Sequence, residues 1–256
     1  MPKRRKAFRL KILAYDIETR PNLAYVWGLW DQNIALNQLK DRVAVFSFAA
    51  RWVDEPKSKI MFHSDYHDGH DQMIERAWEL LDEADALLSW NGKAFDTKHV
   101  QREFFLAGLG PTRPFKEIDL LTVARREFKF GSNKLENVAS EILGEGKVKH
   151  SGFDLWVRCL ANDPKAWAEM ARYNKKDVHL LVDLYEHFLP WIRNHPNQNL
   201  YNGTEGACPN CGGFSRTKQG VRHTLTRSYQ RYRCTDCLAW STGTKMIDSV
   251  ETKGLV

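Results

Sequence analysis

Two carboxylates, Asp16 and Glu18, stand two residues apart at the end of the apolar run from Leu10 to Tyr15. That run reads as a strand, and residues i and i+2 of a strand project to the same side, so the two acids share a face. Taken alone, the pair fits a solvated strand end as well as a cation site. A further acid, Asp96, closes the segment WNGKAFD, directly after the short apolar run ALLSW. It stands at the opening of a helix, where it either caps free backbone N–H groups or joins an anionic cluster. Tyr173-Asn174-Lys175-Lys176-Asp177 then sets a phenol and a carboxylate four residues apart on one helical face. Drawn together, these acids would form a site for divalent cations, because such a set is costly without them.

Cysteine carries a second chemistry. Four of the five cysteines fall in two pairs, Cys208-Pro-Asn-Cys211 and Cys234-Thr-Asp-Cys237, with 22 residues between them. Two such knuckles, one with glycine beside it, supply the four thiolates of a tetrahedral structural Zn²⁺ site. A segment this short needs that crosslink to fold. It resembles a zinc ribbon, over about residues 206 to 248. Between the knuckles RSYQRYRC alternates, so Arg227, Tyr229, Arg231 and Arg233 share one strand face and Ser228, Gln230 and Tyr232 the other. An arginine and aromatic face suits phosphates and stacked bases. A structural cap or a protein-docking module is the other reading of such a ribbon.

In chain order, Asp16-x-Glu18, Asn91-x-x-x-Phe95-Asp96 and Tyr173-x-x-x-Asp177 match the three motifs of the DEDD superfamily of 3'-to-5' exonucleases. The chain resembles the tyrosine-containing DEDDy branch, in the subset related to the proofreading domain of family B DNA polymerases; the DEDDh branch carries histidine where Tyr173 stands. IDLL from Ile118 and SNKLENVASEILG from Ser132 are similar to the family's segments between motifs two and three. The resemblance implies an α/β, RNase H-like fold: a mixed five-stranded sheet with flanking helices, its acids meeting at the ends of the central strands. It implies two Mg²⁺ or Mn²⁺ ions, with Asp16 bridging both, Glu18 and Asp177 completing one site, and Asp96 holding the other. Four clustered carboxylates repel one another unless cations about 4 Å apart neutralise them, and hard oxygen ligands favour these ions. One ion would acidify the attacking water and the other would stabilise the leaving 3'-oxygen. Tyr173 would orient that water, since a phenol with an ordinary pKa near 10 is a poor base. Asn91 and Phe95 would position the terminal nucleotide, although Phe95 fits a core position equally.

The implied activity is 3'-to-5' removal of nucleoside 5'-monophosphates from single-stranded or frayed DNA ends, in the service of a replication or repair protein. An RNA-processing exonuclease, a structure-specific endonuclease, and a non-catalytic module binding nucleic acid or a replication complex are the alternatives.

The elements that must position these residues are legible as an α/β alternation. Val43 to Ala50 and Lys59 to Phe62 read as strands, Met73 to Ala84 as a helix, and Ala86 to Trp90 as a short buried strand. Helices are expected over Thr97 to Ala107, Ile118 to Phe128, Leu135 to Leu143 with Gly144 as its stop, and from Pro164, capped by Asp163, to Pro190. This predicts a basic tail over 1–9, a catalytic body over 10–194, a linker over 195–205, the ribbon over 206–248 and a tail over 249–256. Among weaker candidates, Tyr25, Trp27 and Trp30 could line the entrance and stack on a terminal base. Asp119 could approach the site but fits the cap of the helix from Leu120 better, and His63, His67 and His70 read as parts of a surface loop. Lys147, Lys149 and His150 fit a phosphate contact or an ordinary solvated loop, and Cys159 reads as a small hydrophobe on a helix.

At 256 residues with 43% hydrophobic side chains, the chain is large enough for one substantial core and a small second module, which excludes disordered, collagenous and toxin-like classes. Its formal +6 is unevenly placed: residues 1–11 carry +6, residues 12–200 carry −4 and residues 201–256 carry +4. Basic ends around an acidic middle fit a phosphate-bearing partner. No apolar run approaches a membrane span, and no signal-peptide core opens the chain, so the expectation is no membrane partner and a reducing cytoplasm, that of a host cell if the source is a phage.

Overall fold

The structure, a computed structural model, describes residues 9–144 and 152–253. Lys3, Arg4, Arg5 and Lys6 of the tail, and Lys147, Lys149 and His150, lie outside the described residues. In chain order the elements are β1 (Ile12–Arg20), β2 (Leu23–Ala24), β3 (Leu39–Asp41), β4 (Ala44–Trp52), β5 (Met61–Ser64), α1 (His70–Glu83), β6 (Ala86–Ser89), α2 (Asp96–Leu106), β7 (Lys116–Asp119), α3 (Leu120–Glu127), α4 (Leu135–Leu143), α5 (Phe153–Leu160), α6 (Pro164–Phe188), α7 (Gln198–Asn202), β8 (Arg216–His223), β9 (Arg227–Cys234) and β10 (Trp240–Ser249). The chain divides into two compact units, one over Lys11–Leu184 and one that includes the residues from Tyr185 onward.

In the first unit five strands lie in the order β5-β4-β1-β6-β7. β1 pairs antiparallel with β4, and β4 with β5, whereas β1 with β6 and β6 with β7 are parallel. The sheet is therefore mixed, as the resemblance implies. Leu13, Tyr15 and Ile17 of β1 are buried in a core with Met73, Ile74 and Leu81 of α1 and Val100 and Phe104 of α2. Strand alternation sends Asp16 and Glu18 to the opposite face. As expected, β1 carries Asp16 and Glu18 at its C-terminal end, and it runs on to Arg20, because buried Ile17 continues the alternation and β4 pairs as far as Arg20 with Ala44.

A bulge interrupts that pairing. Glu18 lies opposite Ser47 and Thr19 opposite Val45, so Phe46 is one residue too many on β4. Such an insertion re-aims side chains. Phe46 packs on Trp167 with ring centroids 5.2 Å apart, in a second core with Leu155, Cys159 and Met170. Adjacent Ser47 also reaches α6, by a hydrogen bond to Asn174.

Helices α3 and α5 depart from expectation. The helix predicted from Ile118 is preceded by strand β7, and only Leu120–Glu127 is helical. Helix α5, buried through Leu155 and Cys159, was not expected. α4 ends as predicted at Gly144, whose φ of 67° is the left-handed conformation that glycine adopts freely.

In the second unit β8, β9 and β10 form an antiparallel sheet with β9 central. The stretch expected to be featureless linker contains α7, capped by the Asn197 side chain. The Gln198 N–H donates to the Pro209 carbonyl and the Asn199 side chain to that of Ala207, which ties the segment to the first cysteine knuckle.

Candidate active site

Three separated segments build the acidic site. β1 contributes Asp16 and Glu18. The second contribution comes from the turn after β6. Asn91 has a φ of 71°, a left-handed conformation that asparagine tolerates better than most residues, and its N–H donates to the Asp119 carboxylate at 3.0 Å. A Cβ on Gly92 would lie 2.2 Å from the Ser89 Oγ, so only glycine fits there. The turn delivers Asp96 as the first residue of α2, where its Oδ1 accepts the Ile17 N–H at 3.2 Å. Next to it, Thr97 bonds both the Tyr15 hydroxyl at 2.8 Å and the Glu117 carboxylate at 2.9 Å, anchoring the helix start to β1 and β7.

The third contribution is α6. Its Asp177 joins Asp16 and Glu18 so that one carboxylate oxygen of each lies within 4.8 Å of the others. Asp96 is outside that trio, turned onto the Ile17 N–H, yet close enough to act electrostatically on both Asp16 and Glu18. Asn174, fully buried, donates from Nδ2 to Asp16 Oδ2 at 2.6 Å and to the Asp16 carbonyl at 3.3 Å, while its Oδ1 accepts the Ser47 hydroxyl at 3.2 Å. Tyr173 packs edge-on against Trp156 and donates its hydroxyl to Asp177.

The electrostatics match the geometry. Burial first, then the charges of Asp96, Asp177 and Glu18, hold the Asp16 carboxyl well above the carboxylate range, with the Asn174 hydrogen bond pulling the other way. Glu18 is raised to about 8 by burial and by Asp177 and Asp96. Asp96 is raised only to about 6, because the Ile17 N–H and its own N–H offset its burial. Tyr173 is pushed far above a free phenol by burial and by the neighbouring carboxylates. The trio supplies closely spaced hard oxygen donors whose repulsion a divalent cation would relieve, so the residues fit Mg²⁺ or Mn²⁺.

The cysteines form a second set of converging ligands. Cys208 and Cys237 Sγ lie 3.7 Å apart, as do those of Cys211 and Cys234. Thiolates at the usual Zn–S distance of about 2.3 Å stand about 3.8 Å apart in a tetrahedron, so the cluster fits Zn²⁺. Burial raises Cys211 to about 11 and pushes Cys237 higher still. The Gly213 N–H donates to the Cys211 sulfur, and the Asn210 side chain holds the Leu189 and Ile192 carbonyls. Among the described residues, these cysteines and the acidic trio are the two groups able to hold a metal ion.

Phe95 is 41% exposed beside Asp96, with its ring 4.5 Å from that of His99, so it is a surface ring. Arg227, Tyr229, Arg231 and Arg233 all lie on β9, where Arg233 covers Trp240; Arg216 of β8 covers Tyr232. His63, His67 and His70 bond separately to Asp68, Ser64 and Asp65. Burial raises the Cys159 thiol to about 12, as befits a core residue. Asp119 does cap α3, through the Leu121 and Thr122 N–H groups, while the same oxygen holds the Asn91 turn. Asn174 and Ser47 were missed from sequence, whereas Asp119, read as either near the site or a helix cap, serves as both. The one available signal was the place of Asn174 inside the third motif.

Residues 13–189 match the family model RNase_H_2, described as RNase_H superfamily. The structure is similar to that of the family B DNA polymerase from the hyperthermophilic archaeon Pyrobaculum calidifontis, with a TM-score of 0.55 at 15% identity. The likeness covers 85% of this chain and 31% of that one, so the chain spans about a third of the polymerase, and what is shared is the fold. No curated protein sequence matches the chain.

Proposed function

The chain belongs to the RNase H superfamily, and from that premise we propose that it is a metal-dependent 3'-to-5' exonuclease acting on single-stranded or frayed DNA ends and releasing nucleoside 5'-monophosphates. The observation that carries this reading is the meeting of Asp16, Glu18 and Asp177 with Asp96 alongside. Asp16, Glu18 and Asp177 would hold one divalent cation, and Asp16 with Asp96 a second. When bound, such ions supply Lewis-acid stabilisation of phosphoryl oxygens and a water acidified to near neutral pH.

The chain's own residues do the rest. Asn174 fixes Asp16 Oδ2 and so sets where its other oxygen points. Tyr173, protonated throughout the working range, orients the attacking water by its hydroxyl and takes up no proton. Phe95, exposed beside Asp96, packs against the terminal base, and Asn91 bonds the terminal nucleotide. Arg227, Tyr229, Arg231 and Arg233 of the Zn²⁺-held ribbon bind the polynucleotide further along. The chain comprises a catalytic body over 10–194 and a ribbon over 206–248, in a reducing cytoplasm where thiols stay reduced. No helix among the described residues is long and apolar enough to cross a membrane.

Digestion of end-labelled single-stranded DNA, duplex DNA and RNA in Mg²⁺ or Mn²⁺ tests the reading. Stepwise shortening from the 3' end of single-stranded DNA is expected, with Asp16→Ala and Asp177→Ala each slowing it on the order of 10³-fold. Intact substrate throughout would sink the enzyme, preference for RNA would move it to RNA processing, and cutting of a closed circle would make it an endonuclease.

A further inference from the structure

Between β1 and β4 the chain makes an excursion in which β2 pairs with β3. Its loop leaves Tyr25, Trp27, Leu29 and Trp30 exposed, Trp27 at 98% and Trp30 at 84%. Large apolar side chains crowded on one exposed segment mark a contact surface. Beside the same hairpin lies an open cavity of about 480 Å³ whose lining includes Arg20, Lys40, Arg42 and Arg102 against Asp41 and Glu103. Arg20 pairs with Asp41 at 3.5 Å and Arg102 with Glu103, whereas Lys40 and Arg42 are exposed and form no ion pair among the described residues. The excursion thus combines bare indole faces with two uncompensated cations, and it leaves β1 just past Arg20, two residues beyond Glu18.

That pairing of chemistries fits a polynucleotide whose bases are free of one another. In a duplex the base faces are occupied by stacking, whereas a single strand offers them to aromatic rings and its phosphates to cations. Resting on the nuclease reading of the acidic site, we propose that the β2–β3 hairpin is a second substrate contact, which binds single-stranded polynucleotide away from the scissile bond. Bases stack on Trp27 and Trp30, and phosphates lie against Lys40 and Arg42. The hairpin makes the enzyme favour strands long enough to span from the acids to the loop.

The test uses the full-length chain and fluorescence anisotropy of a labelled oligothymidylate of about 20 nucleotides, without added Mg²⁺ or Mn²⁺. The double variant Trp27→Ala, Trp30→Ala should raise Kd about tenfold or more. Lys40→Ala with Arg42→Ala should reduce the slope of log K against log salt by about 1.4. All four side chains are exposed, and circular dichroism checks folding. A Kd within about twofold of the parent, with an unchanged slope, overturns the proposal. So does loss of a dimer in sedimentation at unchanged Kd, which would make the loop a contact between copies. In Mn²⁺, the ratio of kcat/KM on the oligomer to that on the p-nitrophenyl ester of thymidine 5'-monophosphate, too short to span, should fall about fivefold or more in the tryptophan variant. If the parent cleaves neither compound, the nuclease reading fails, and the anisotropy result still decides the hairpin.

Discussion

Asn174 bonds one oxygen of Asp16 from a fully buried position, and its own oxygen is held by Ser47, so three side chains from β1, β4 and α6 are locked in series. Residues of this kind tune a metal site without touching the ion. Asn174→Leu keeps the volume and deletes the donor; the half-saturating Mn²⁺ concentration for DNA cleavage should rise about 10- to 100-fold. Ser47→Ala should raise it less. Calorimetric Mn²⁺ titration measures both, and affinities equal to the parent would reduce Asn174 to a packing residue. Glu18 allows a second prediction with a definite sign. Its folded pKa of about 8 lies above its ordinary 4.5, so between those values the unfolded chain has lost a proton that the metal-free fold retains. Metal-free stability contributed by this group therefore falls as pH rises through that window. Glu18→Gln should raise the metal-free Tm at pH 8 and leave it nearly unchanged near pH 4.5, while saturating Mg²⁺ should reverse the ranking at pH 8. Differential scanning calorimetry decides; a pH-independent difference would contradict the burial of a strained acid.

Elements hold these residues through few and particular contacts, and the turn after β6 is the most demanding. Gly92→Ala would drive a Cβ into Ser89, at 2.2 Å from its Oγ and 2.5 Å from its Cβ. A cost of about 1–3 kcal/mol is expected, with loss of cleavage as Asp96 shifts. Because the Ser89 Cβ itself is in the way, Ser89→Gly should rescue Gly92→Ala and Ser89→Ala should not; denaturant midpoints and rates of the double variants are the readout. These contacts also explain what could be read in advance. The alternation of β1, the long periodicity of α6 and the apolar stripe of α4 fill the core, so burial prints their period on the chain, and the spacing of Asp16, Glu18, Tyr173 and Asp177 follows from it. β7 was hidden because its four residues run directly into α3, with Asp119 ending one element and capping the next. The bulge at Phe46, the φ of Asn91 and the partners of Asn174 depend on residues distant in the chain, and no local pattern encodes them.

At the scale of the whole molecule the two units rest on different stabilising devices, a broad apolar core in one and a sulfur cluster in the other. The ribbon unit should unfold when Zn²⁺ is stripped by a chelator, whereas a chain ending near Asn202 should keep its helical circular dichroism and its Mn²⁺-dependent cleavage, with weaker binding of long strands at low salt. Since burial keeps Cys211 and Cys237 protonated at neutral pH, Zn²⁺ uptake at pH 7 should release at least two protons, detectable with an indicator in weak buffer. The bond from Asn174 to Asp16 spans 158 residues of chain. During synthesis β1 leaves the ribosome long before α6 exists, so a growing chain carries its first two acids but has no assembled acidic site. The topology itself therefore delays an assembled acidic site until residue 177 has emerged and folded back onto β1.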